Sequence, residues 1–371
     1  MNIGTISRLL SILLLVVLAG GCARAPQLIG VNNPEISADS VVEITKHRMF
    51  LMSTRDASDV TGVFYSSERA PDLGLASVDA TVPPTHVPGV LERPKKLPPD
   101  PRTEFTVINP AVYANDASFI ADIDRELMKR PPGDRKLLIF IHGFNNTTSD
   151  ATLRLAQFVE DTRYSGVPVL FTWASAAQGS KYVYDLNSAL IARSQIGNMA
   201  AILNQTRAES VDVFAHSMGT FLTMEGLVKQ QAAGRLGKGA EIDHIVLASP
   251  DIDLDLFQTQ IAELPPSIVK KMFLLISEDD FALRFSRRIA GGVPRVGAAD
   301  TAALENLGVT VIDLSEIEDS SSGSHSKFAG SPEVVQLIGA GLNSNQRFGE
   351  TGSSTTFEQL FANTPIRVIR N

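Results

Sequence analysis

The 371 residues are 44% hydrophobic and 20% charged, which supports a packed core and excludes a disordered chain. A formal net charge of -8, with no dense run of Lys and Arg, argues against a nucleic-acid surface. The single cysteine, Cys22, forbids an intrachain disulfide; the 6 scattered histidines lack ligand spacing, so neither a metal nor a cofactor is expected.

Residues 1–21 read as a secretory signal, with Arg8 in the n-region, an apolar run from Leu9 to Ala19 and small residues after it. The run is shorter than the roughly 20 residues that cross a bilayer. Leu18-Ala19-Gly20-Gly21-Cys22 resembles the bacterial lipobox, in which the cysteine is acylated on sulfur and becomes the new N-terminus. Ala19 and Gly21 would also suit an ordinary signal peptidase, but the sole cysteine of the chain falls at this one position. The lipobox resemblance implies more: Ala23 in place of Asp after the cysteine points to the outer membrane, facing the periplasm. Lipid on Cys22 would then anchor the chain to the bacterial envelope. Residues 22–45 read as the lipidated cysteine and a polar tether.

Residues 46–110 form a β-rich subregion, with strand-like runs such as Phe64-Tyr65 and Ser77 to Val82 between Pro-rich loops. Seven prolines between Val82 and Pro101 predict an extended, solvent-facing stretch. Helical spacing follows over Ala117 to Lys129. From there strands and helices alternate, the pattern of a largely parallel sheet flanked by helices. The strands are Lys136 to Ile141, Val167 to Trp173, Ser210 to Ala215, His244 to Ala248, Met272 to Ser277 and Val309 to Leu314. The helices are Asp150 to Asp161, Asp185 to Asn204, Met218 to Gln231, Phe281 to Ile289 and Pro332 to Gly341. The basic run in Phe281 to Ile289 reads as a solvated helix face. Residues 46–341 make one α/β domain, and 342–371 a polar tail.

Ala215-His216-Ser217-Met218-Gly219 fits the nucleophile elbow of the α/β-hydrolase fold, with Ala in place of the first Gly. Such a pentapeptide arises by chance in on the order of one chain in four of this size, so its context decides. An apolar strand precedes it and a helix follows. The tight turn needs small residues two before and two after the serine, here Ala215 and Gly219. The Met218 backbone N–H can then point into an oxyanion hole at the helix N-terminus. The strand Ile139-Phe140-Ile141 ends in His142-Gly143-Phe144, where this fold takes its second oxyanion donor, the Phe144 N–H. His142 itself reads as a loop-bonding side chain. The base is His325, in the Ser/Gly loop after the last strand, where the order nucleophile, acid, histidine requires it. His216 adjoins the serine but should point away. The acid must follow a strand between Ser217 and His325; in most α/β-hydrolases it follows the strand next but one after the elbow strand. That rule leaves Asp279 and Asp280 open, with Asp251 and Asp253 one strand earlier.

These motifs resemble the bacterial α/β-hydrolase family known as domain of unknown function 900, which is esterase- and lipase-like. The matching pieces are Phe140 to Asn145, Phe171 to Ser175, Tyr184-Asp185, Ala215 to Gly219, Ser249 to Asp253 and Ser277 to Leu283, with Val82 to Gly89 ahead of them. Ala174 departs from an expected proline. The resemblance implies that the triad acid is Asp280, with Asp279 a solvated neighbour and Asp251 a loop or helix-capping residue.

The reading is a serine hydrolase cleaving carboxylic esters through an acyl-enzyme, with Ser217, Asp280 and His325 as triad. Its partners would be a small-molecule or lipid ester and the membrane. The same machinery serves amidases, thioesterases and acyltransferases. A different class of reading is a catalytically silent envelope scaffold or binding lipoprotein on the same fold. The intact Ser, Asp and His set favours the enzyme, since a scaffold has no need of all three.

Overall fold

Ten strands pair into one sheet in a computed structural model, which describes residues 24–318, 323–343 and 366–370. They are β1 (Thr45–Ala57), β2 (Tyr65–Val82), β3 (Thr106–Val112), β4 (Lys136–Ile141), β5 (Val167–Thr172), β6 (Ser210–His216), β7 (Glu241–Ala248), β8 (Met272–Ile276), β9 (Thr310–Asp313) and β10 (Arg367–Arg370). Their spatial order is β10-β9-β8-β7-β6-β4-β5-β1-β2-β3. The seven central strands, from β9 to β1, run parallel, while β2, β3 and β10 are antiparallel additions at the edges. The connecting helices are α1 (Asp116–Met128), α2 (Thr148–Thr162), α3 (Tyr182–Ala192), α4 (Ile196–Leu203), α5 (Met218–Ala232), α6 (Leu254–Ala262), α7 (Pro266–Val269), α8 (Phe281–Ile289), α9 (Lys327–Gly330) and α10 (Pro332–Leu342). This is the α/β-hydrolase architecture expected from the sequence.

Parallel strands need crossovers, and helices on both faces leave the middle of the sheet no solvent side. β4 and β5 are therefore buried along their whole length. The pleat sends Leu137, Ile139 and Ile141 into one core, with Phe119, Met199 and Leu222. It sends Leu138 and Phe140 into the other, with Phe158, Phe328 and Leu337. In that second layer Phe140 stacks on Phe214 at 5.6 Å, and Phe158 and Phe328 approach the same ring at 4.4 and 5.1 Å.

Three expectations need correction. The tether does not hang free from residue 24 onward: Leu28 is fully buried, Ile29 N–H donates to the Gly62 carbonyl at 3.0 Å, and Arg24 pairs with Asp150 at 2.7 Å. An apolar Leu28-Ile29 pair in a polar segment is enough to dock it. The single helix read over 185–204 is two, separated by a 3-10 turn at Arg193–Gln195. There Ser194 Oγ donates back to the Ile191 carbonyl at 2.7 Å, a bond that competes with the helix ladder. The polar tail contains β10, whose Arg367 to Arg370 pair with Asp313 to Thr310. Cys22 and the rest of residues 1–23 lie outside the described residues.

The Pro-rich stretch is extended as expected but not simply solvent-facing, because Pro94 and Pro99 are buried and His86 pins it to α2. His86 Nδ1 lies 2.7 Å from Glu92 and Nε2 2.8 Å from Asp161. Burial would lower its pKa, but the two carboxylates overcome that and push it up to about 9. A histidine with a raised folded-state pKa contributes stability that is full below its unfolded value, about 6.5, and lost as pH rises through the folded value. Unfolding stability is therefore expected to fall between about pH 6.5 and pH 9. Urea titrations of wild type and His86→Ala across that window check this; the variant should show the smaller slope.

Candidate active site

The turn from β6 to α5 places one residue, Ser217, in a backbone conformation that L-residues avoid, φ 53° and ψ -125°. The surroundings leave it no alternative. A side chain at Gly219 would put its Cβ 2.5 Å from the carbonyl oxygens of Ile141 and His142. One at Gly143 would lie 2.8 Å from Ser217 Cβ. β4, β6 and the start of α5 thus meet at van der Waals distance around the serine, and the Ser217 N–H is held by the Ala248 carbonyl at 2.9 Å.

The structure brings Ser217, His325 and Asp280 together. His325 Nε2 lies 3.1 Å from Ser217 Oγ, and His325 Nδ1 lies 2.8 Å from Asp280 Oδ2. Asp280 is fully buried, and its other oxygen accepts the Leu283 N–H at 2.9 Å as the N-cap of α8. A carboxylate on Nδ1 fixes the proton there and leaves the Nε2 lone pair facing the hydroxyl, the arrangement in which imidazole can take its proton. Among the described residues, neither the Phe144 nor the Met218 backbone N–H is bonded to a protein acceptor. Both stand beside Ser217, Met218 as the first residue of α5 and Phe144 next to Gly143.

The loop carrying His325 is held from three sides, which the sequence reading missed. His216 Nε2–H and Ser249 Oγ both donate to the His325 carbonyl, at 3.1 and 3.2 Å. The tip of His216 grips the histidine's own backbone; burial, with His325 beside it, keeps its pKa well below the ordinary value. Asp279 is no mere solvated neighbour. It accepts Lys327 Nζ at 2.9 Å and Ser324 Oγ at 2.6 Å, on either side of His325. Burial works against its charge, yet bonds from Ser277, Ser324 and Lys327 hold its carboxyl below the usual range.

Asp251 is not a helix cap either. Asp253 caps α6, and Asp251 is buried with Tyr182 Oη at 2.9 Å, Ser286 Oγ at 2.5 Å and Arg295 at 3.3 Å, tying α3 to α8.

Beneath the Phe144 loop lies a buried polar cluster. Arg55 donates to Thr172 Oγ1 at 2.9 Å, the Ser175 carbonyl at 3.1 Å and the Asn146 carbonyl at 2.8 Å. Burial pushes its pKa down to about 10, against the pull of Asp185 and Asp150. Asp185 accepts Ser175 Oγ at 2.5 Å and the Ala176 N–H at 2.7 Å, so a carboxylate shapes the turn where a proline was expected at Ala174. His142 donates Nδ1–H to the Gly143 carbonyl at 2.9 Å and accepts the Trp173 N–H on Nε2 at 3.2 Å. Burial, then the neighbouring Arg55 charge, pushes its pKa down to about 3, so it stays neutral as a loop-bonding side chain. Arg55 gave one sequence signal, a cation three residues past the apolar run Met49 to Met52 on the same strand.

A family described as an alpha/beta hydrolase of unknown function (DUF900) matches residues 115–341. No curated protein matches. Among solved structures, the chain is similar to one from a study of two fungal esterases of Rhizomucor miehei, 12% identical with a TM-score of 0.35, covering 82% of this chain and 85% of that one. It is also similar to an esterase of Pyrobaculum calidifontis, 11% identical with a TM-score of 0.35, covering 82% and 87%.

The Asp279–Lys327 clamp makes a testable contribution. Lys327→Met keeps the stem's bulk but frees the loop, and a displacement of about 1 Å at a reacting group can cost roughly 100-fold. Labelling of Ser217 by a fluorophosphonate is expected to slow 10- to 100-fold, by this same estimate, with the circular dichroism spectrum unchanged. An unaltered labelling rate would show that the clamp does not position His325.

Proposed function

The chain belongs to an alpha/beta hydrolase family of unknown function, and we propose that it cleaves carboxylic esters through an acyl-enzyme on Ser217. The observation that carries this reading is the Ser217–His325–Asp280 relay, with contacts of 3.1 and 2.8 Å at a strained elbow. In the proposed reaction Ser217 Oγ attacks the ester carbonyl carbon while His325 Nε2 takes its proton. The buried Asp280 carboxylate steadies the imidazolium. The N–H groups of Phe144 and Met218 receive the oxyanion, a contribution that is often the largest single one. Collapse of the tetrahedral adduct breaks the C–O bond, and His325 returns the proton to the leaving alkoxide. Water then attacks the acyl-enzyme, with His325 again as base, and releases the acid and free Ser217.

We also propose that the protein is held at the bacterial envelope by lipid on Cys22. The support is the lipobox-like run that ends at the one cysteine of the chain.

Ser217→Ala is expected to abolish fluorophosphonate labelling and ester turnover with little change in thermal unfolding; labelling that persists would sink the serine-hydrolase reading. Asp280→Asn should lower turnover by roughly 10⁴-fold, and Asp251→Asn and Asp279→Asn by far less. A dead Asp251→Asn beside an active Asp280→Asn would move the acid one strand earlier. Metabolic labelling with a palmitate analogue should tag wild type and not Cys22→Ala; an unlabelled, freely soluble wild type would refute the anchor.

A further inference from the structure

Helix α8 is buried only along Leu283 and Ser286. Phe281, Phe285 and Ile289 are 69%, 53% and 48% exposed, and large apolar side chains exposed side by side mark an interaction surface. Spaced by four, they stand in one stripe along the helix. Beside it lie Arg284, Arg287 and Arg288, exposed, with no acidic residue in the helix. In a chain of net charge -8 this is a local reversal of sign. Asp279 is engaged with Lys327 at 2.9 Å and Asp251 with Arg295 at 3.3 Å, while Glu278, just ahead of the helix, is exposed.

The placement of the helix is as informative as its composition. Its N-cap is Asp280, and the Phe281 N–H donates to the Gly323 carbonyl at 3.1 Å, in the loop that leads to His325. The stripe therefore starts at the rim of the site. A second element reaches the same end of the sheet. Arg24 Nη2 donates to the Asn145 carbonyl at 3.1 Å and Nη1 to the Ala177 carbonyl, in the loops that follow β4 and β5. The start of the described chain therefore lies at the end of the sheet that carries Ser217.

We propose that α8 is an interfacial docking helix that lays the mouth of the site against an anionic phospholipid surface, and that the substrate is an ester held in that surface. Large apolar side chains flanked by arginines are what such a helix needs: the rings enter the headgroup boundary while the guanidinium groups meet lipid phosphates. The substrate half rests on the ester-hydrolysis reading; the docking half does not. Among the described residues no helix is long and apolar enough to cross a membrane.

The test uses the full chain carrying Cys22→Ala, so that no acyl chain contributes, and Ser217→Ala, so that no turnover intervenes. Residues 1–21 are common to every form compared. Flotation with phosphatidylcholine vesicles, with and without phosphatidylglycerol, should show at least about tenfold tighter binding to the anionic vesicles, a preference that shrinks as salt rises. Phe285→Ser with Ile289→Ser, and separately Arg288→Glu, should each weaken that binding about tenfold or more, with thermal unfolding unchanged. Equal binding to both vesicle types, or binding that survives both sets of substitutions, overturns the proposal. So does a lipid-free dimer that Phe285→Ser with Ile289→Ser dissolves, since a second copy would then cover the stripe. Soluble-ester turnover by the Cys22→Ala protein, assayed separately, tells failure of docking from failure of the hydrolase reading.

Discussion

The backbone at Ser217 is the constraint that the centre of the molecule is built around. A residue held at φ 53° and ψ -125° costs on the order of 1–3 kcal/mol, and it persists only because its surroundings over-determine it. Two glycines supply the room, Gly143 on the β4 side and Gly219 on α5. The fully buried β4 and β5 supply the stiffness. The Phe144 loop is braced from below by Arg55, His142 and Asp185, and a buried cation of that kind needs every donor satisfied, because an unpaired one would be expensive.

The relay is held by different means on its two sides. Asp280 is fixed by secondary structure, since one carboxylate oxygen caps α8 while the other meets His325. His325 sits in a loop with no regular structure of its own, so its position is supplied by neighbours: His216 and Ser249 on its carbonyl, Asp279 on the residues either side. His216 is a neutral donor here, and its depressed pKa keeps it from competing for the proton that His325 would carry.

What the sequence made legible follows from burial. Strands β4, β5 and β6 are covered on both faces, so they are largely apolar, with Asp212 a buried exception bonded to Tyr164 and His244, and their limits fall within a residue of those expected. The elbow and the order of Ser217, Asp280 and His325 could be expected because this fold takes its nucleophile, acid and histidine in that chain order. The edge of the sheet was less legible. β2 runs 18 residues through Pro71 and Gly74, and its exposed middle lacks the alternation that marks a strand, so only its two ends stood out. Asp279 and Asp251 differ from ordinary surface acids only in their partners, Lys327 and Arg295, which come from 48 and 44 residues away. The docking of Leu28-Ile29 depends likewise on Gly62 and Val107, beyond the reach of any local pattern.

Strand β10 answers a problem that every open sheet has. β9 would otherwise present a row of unpaired N–H and C=O groups at the end of the parallel array, a template for another chain to extend. Residues 367–370 fill that row, with Arg367 also paired to Glu316 at 2.8 Å, and its charge discourages a further strand from pairing on. At the opposite edge β3 ends the sheet with Asn109 at a positive φ of 52° and Pro110, which lacks a donor. The chain thus caps both margins of its sheet with its own ill-fitting residues, a safeguard against aggregation while it is newly made and crowded.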